Sequence, residues 1–164
     1  MGTMKTLVIG LGNPILGDDG VGWVVAQKVE AIIAETTTNT RVACFALAGI
    51  SLMEQMIGYQ RVILIDSLNT GQHPQGEVVS FTLNELAELT VGHSASAHDL
   101  SLKNALVLGR SMKASLPDDK NVHIVAIEAE HVYEFGETLT VAIQAAVPYA
   151  VSEVLRLLQV EQLQ

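Results

Sequence analysis

The stretch Gly10-Leu-Gly-Asn-Pro-Ile-Leu-Gly-Asp-Asp-Gly-Val-Gly22 separates two kinds of hydrophobic periodicity, and that junction decides the fold. Before it, Lys5-Thr-Leu-Val-Ile-Gly10 is a short, β-rich apolar run halted by glycine, as in a buried strand. After it, Val21, Val24, Val25, Val29, Ile32 and Ile33 recur at helical spacing and predict a helix over about 20–34. The unit is strand, glycine-acid loop, helix.

The same alternation continues outward. Arg41 to Leu47 reads as a second strand, Ile50 to Tyr59 as a short helix, and Arg61-Val-Ile-Leu-Ile-Asp66 as a third strand. The unbroken aliphatic run in the third strand implies burial on both faces, hence a central place in the sheet. Glu77 to Leu83 is read as a further strand at an antiparallel edge, because the Ser67–Gly76 connection is too short for a helical crossover. A helix over about 98–115, capped by serines and burying Leu102, Ala105, Leu106, Gly109 and Met112, precedes a strand over 121–127. A last helix over about 138–160 is expected to kink or divide at Pro148. Strands alternating with helices predict a three-layer α/β/α sandwich, with a mostly parallel twisted sheet of about five strands. One domain spanning residues 1–164 is expected, since a chain of 164 residues buries close to ~70% of the surface it would expose unfolded.

Composition narrows the functional classes. The net charge is −9, and the nine Lys and Arg residues form no basic stripe, which argues against nucleic acid and anionic membrane surfaces. Cys44 is the single cysteine and sits in an apolar run, so it is read as a packed thiol, and the chain as one from a reducing compartment. With no signal-like segment and no apolar run of membrane-spanning length, a cytoplasmic protein is expected, acting as a monomer.

In parallel α/β sheets, ligands collect at the carboxyl ends of the strands. Three features leave the predicted strands there: the loop with Asp18 and Asp19, Asp66 at the tip of the third strand, and the later loop carrying His98. Two carboxylates and an imidazole suit a divalent metal with positions left open for water or substrate. Taken singly, each has a plainer explanation. Asp18 and Asp19 precede a helix, where acids cap and complement the dipole; Asp66 can cap a turn; and a lone histidine at a helix start is more often exposed. His93 is an alternative to His98, and His131 near Glu128 and Glu130 is either a second ionic cluster or a surface loop residue. A dinucleotide site is disfavoured. Ile15 stands where GxGxxG needs its third glycine, and acids at the helix start repel a pyrophosphate.

Gly10 to Gly22, Ile63-Leu-Ile-Asp-Ser67 and Ser96-Ala-His-Asp99, with weaker matches at Ile127-Glu128 and Ala145-Ala-Val-Pro148, resemble the hydrogenase maturation peptidases. The resemblance implies an endopeptidase that removes the carboxyl-terminal extension of a nickel-iron hydrogenase large-subunit precursor after nickel insertion. It also implies that Asp19, Asp66 and His98 are both the metal ligands and the catalytic residues. The nickel would come from the precursor, and other divalent metals would substitute for it. Ala46-Leu-Ala-Gly-Ile-Ser51 departs from the family in lacking the leading Asp-Gly-Gly of many members. Two alternatives stand beside this expectation. One is a non-catalytic, nickel-dependent checkpoint that holds the precursor. The other follows from Val8-Ile-Gly-Leu-Gly-Asn-Pro14, which is similar to the opening of bacterial peptidyl-tRNA hydrolases, although no histidine follows in that block.

Overall fold

A computed structural model describes residues 2, 4–86 and 97–159. The elements follow the predicted alternation: β1 (Thr6–Leu11), α1 (Val21–Ile33), β2 (Thr40–Phe45), α2 (Gly49–Gln55), β3 (Arg61–Leu68), β4 (Val78–Thr82), α3 (Ala97–Ser111), β5 (Val122–Glu128) and α4 (Val141–Gln159). The sheet order is β2-β1-β3-β5-β4, with β3 in the centre. All neighbours pair in parallel except β4, which runs antiparallel to β5 at the edge.

Strand alternation sends the core to both sides. Val8, Ile63, Ile65, Val125 and Ile127 meet α1 and α4, burying Val25, Val29, Val147 and Val154. Leu7, Ile9, Val62, Leu64 and Ile124 meet α2 and α3 on the other side, with Leu52, Met56, Leu102 and Leu106. Period-two side chains on strands buried on both faces therefore produce the expected three layers. Arg61, buried at the start of β3, donates from its guanidinium to the Leu157 carbonyl at 2.6 Å and closes the carboxyl end of α4.

Some expectations are corrected. Met112 is 74% exposed because α3 ends at Ser111 and the chain reverses at Lys113, whose φ is 63°, so the helical projection no longer applies. Ile32 is also exposed, on the outer side of α1. Pro148 does not divide the last helix: α4 runs from Val141 to Gln159 through it, although the ring removes the N–H that would bond to the Gln144 carbonyl. By length and composition α4 is apolar enough to cross a membrane, but Ile143, Ala146, Val147, Ala150 and Val154 pack on the sheet. The serines expected to cap α3, and His93, lie outside the described residues.

Candidate active site

β1 leads through α1 to β2 on one side, and the chain returns through α2 to β3 on the other side of β1. Because α1 and α2 cover opposite faces, a crevice opens at the carboxyl ends of β1 and β3. The glycine-acid loop follows β1, and Asp66 lies near the end of β3, so both acid sources flank this switch point.

The glycines bring the loop against the sheet. Gly12 has φ +128°, a conformation that side chains strain against, and it turns the chain sharply off β1. Gly22 sits so closely over the carbonyls of Leu11 and Ile65 that no Cβ fits there. These contacts draw the start of α1 onto the tips of β1 and β3.

The adjacent acids then take separate roles. Asp18 is fully buried and accepts from the Thr140 N–H at 2.7 Å and the Thr140 hydroxyl at 2.8 Å. Its own N–H bonds to the His131 carbonyl, and Gly17 and Ile15 bond in turn to Gly136. Asp18 is thus structural, but not as the helix cap expected: neither helix start in this loop has a side-chain cap, and Asp18 instead ties the first loop to the segment entering α4. Asp19 turns towards the β3 tip, accepting from the Asn13 N–H and from the Ser67 hydroxyl, each at 2.8 Å. Ser67 also donates its N–H to the Asp66 carboxylate at 2.8 Å, so one residue touches both acids. Asp66 itself is buried.

His98 lies in the first turn of α3. That turn is at the same edge of the sheet, since a Cβ on Gly49, the first residue of α2, would lie 3.0 Å from the Ser101 hydroxyl. The imidazole of His98 is outside what is described. Among the described residues no three His, Cys, Asp or Glu side chains gather as a metal site. The donor set still suits a borderline divalent cation. Among the described residues each Asp19 oxygen accepts one hydrogen bond, which leaves acceptor capacity, and carboxylate with imidazole is a ligand mixture that Ni2+ accepts.

Two residues of the site, Ser67 and Glu128, fall in the stretches that resemble the family but had no role assigned from the sequence. Ser67 shows no pattern that marks it as a link between the acids. Glu128, buried at the end of β5, accepts from the N–H groups of Thr70 and Gly71 and from the Thr70 hydroxyl, all at 2.8 Å, and so pins the loop after β3. The remaining candidates are peripheral. His131 pairs with Glu134 at 2.9 Å rather than with Glu128 or Glu130, and this bond raises its pKa. His73 lies 3.6 Å from Glu77. Burial, and then the charge of Glu30, pushes the Cys44 thiol pKa up, which does not suit a nucleophile.

Fold and site together define a doubly wound α/β protein with an acid pair at its switch point. The family model described as HycI, hydrogenase maturation protease, matches residues 45–157, which include Asp66 and His98 and begin after the Asp19 loop. The chain belongs to the hydrogenase maturation protease family. Its fold is similar to the hydrogenase maturating endopeptidase HybD of E. coli, with 23% identity, TM-score 0.77 and coverage of 95% of this chain and 93% of that one. The NiFe hydrogenase maturation protease HybD of Thermococcus kodakarensis is 26% identical with TM-score 0.68, over 94% of this chain and 99% of that one. A hydrogenase 2 maturation peptidase of a Thaumarchaeota archaeon is 25% identical with TM-score 0.62, over 94% and 97%. No curated protein sequence matches the chain.

Proposed function

We propose that this chain is an endopeptidase that removes the carboxyl-terminal extension of a hydrogenase large-subunit precursor, acting once nickel is in place. Family membership supports the peptidase and its class of substrate. The observation that carries the site is the link from Asp19 through Ser67 to Asp66 at the switch point.

Asp19, Asp66 and His98 would hold nickel carried by the precursor, which is substrate as much as cofactor. Such a cation supplies Lewis acidity towards a nearby carbonyl. The chain itself contributes carboxylates held by fixed hydrogen bonds. Peptide hydrolysis adds water across the C–N bond, so a base must orient that water, and Asp66 is assigned this task. Neither Cys44 nor any serine in a GxSxG turn offers a covalent route.

The test is anaerobic incubation with nickel-loaded precursor, read by mass spectrometry for a short released peptide. Wild type is expected to release it, and Asp19→Ala, Asp66→Ala and His98→Ala each to abolish release while remaining folded. A chain that binds loaded precursor but never cuts it is a checkpoint protein instead. Cutting by all three variants would place the site elsewhere.

A further inference from the structure

We propose that Ser67 is a positioning residue for the acid pair: its hydroxyl sets the orientation in which Asp19 joins Asp66 on one divalent cation. The inference rests on the cation site proposed above and assigns a role to a residue outside that ligand set.

Three observations converge on it. First, Ser67 is held within the central strand, in register with Ile127 of β5, and the next bond along, Ala129 N–H to the Leu68 carbonyl at 2.8 Å, secures the strand end. The hydroxyl therefore projects from a rigid base. Second, successive strand residues face opposite sides. Asp66 shares the α2 and α3 side with Leu64, whereas Ser67 shares the α1 side with Ile65, where the Asp19 loop lies. Ser67 thus reaches Asp19 with its side chain and Asp66 with its backbone, at 2.8 Å in both cases.

Third, among the described residues the Asp19 carboxylate has two partners, the Asn13 N–H on Oδ2 and the Ser67 hydroxyl on Oδ1. The terminal torsion of aspartate is intrinsically broad, so these bonds decide where the remaining lone pairs point. Without the hydroxyl, the Asn13 bond is the one left among the described residues, and the carboxylate can swing about it. Alanine at this position keeps the backbone N–H to Asp66, so the bond it removes is the one to Asp19. Groups that hold metal ligands in this way typically change metal affinity by roughly 10–100-fold when removed.

The experiment measures Ni2+ alone binding to the full chain by calorimetry, alongside cleavage of loaded precursor. Ser67→Ala is expected to weaken Ni2+ by on the order of 10-fold or more and to lower kcat more than it raises KM. Ser67→Thr, which retains a hydroxyl on the same carbon, is expected to restore both. Unchanged Ni2+ affinity in Ser67→Ala overturns the proposal, as does a Ser67→Thr variant as weak as Ser67→Ala, because side-chain volume would then be the cause. If wild type binds no Ni2+, the cation site falls and this inference with it. If the affinities follow the expected order but neither wild type nor any variant cuts loaded precursor, the positioning role stands and the peptidase assignment fails.

Discussion

Thr140 closes on Asp18 from 122 residues away with both its N–H, at 2.7 Å, and its hydroxyl, at 2.8 Å. Asp18 is fully buried, so loss of the carboxylate strands the Thr140 N–H as α4 begins. Asp18→Ala is expected to cost about 2–3 kcal/mol in urea unfolding. Asp19→Ala should cost less stability yet abolish peptide release. Equal stability losses in the two variants would contradict this division of labour.

Gly22 gives a backbone prediction. A methyl group there would press on the Leu11 and Ile65 carbonyls, and neither strand end can retreat from the sheet. Gly22→Ala is expected to destabilise by about 3 kcal/mol or more, measured by thermal unfolding. A near-native midpoint would show that α1 lies further from the strand tips.

Glu128 is expected to govern the loop after β3. Glu128→Ala removes the acceptor for the Thr70 and Gly71 N–H groups, and amide exchange at both should accelerate strongly. Glu128→Gln keeps one acceptor oxygen and should have a smaller effect. Unchanged exchange in the alanine variant would refute the clamp.

Cys44 provides a negative control. Its thiol pKa is raised by burial and then by Glu30, which keeps it protonated near neutrality. Cys44→Ser should cleave precursor at the wild-type rate, and alkylation of the wild-type thiol should be slow. Inactivation by either change would implicate the thiol.

The His131–Glu134 pair sets a pH-dependent contribution. The Glu134 bond raises the histidine above 6.5 in the folded chain, so its stabilisation is complete below the unfolded pKa and is lost as pH rises through the folded one. The pair is at the surface, and the effect should shrink with salt. In an NMR titration, Glu134→Gln should move the His131 midpoint down towards 6.5. An unmoved midpoint would assign the shift to other acids.

Local pattern and topology account for how much was legible in advance. The run from Lys5 to Gly10, the valines of α1 and the aliphatic stretch of β3 express periods of 2 and 3.6, which depend on near neighbours only. They specified the layers, the central place of β3 and the carboxyl edge as the location of Asp19, Asp66 and His98. By pattern alone Asp18 and Asp19 were equivalent, two acids before a helix, and only the family resemblance singled out Asp19; Ser67 lay in the matched stretch 63–67 without a role, and Thr140 was unmarked. Tertiary structure separated the two acids. Gly22 seats α1 on the strand tips, which turns Asp19 to Ser67 and leaves Asp18 to Thr140. Those partners are 48 and 122 residues away, and a hydrogen bond across such a separation is set by how elements pack, which no local periodicity encodes.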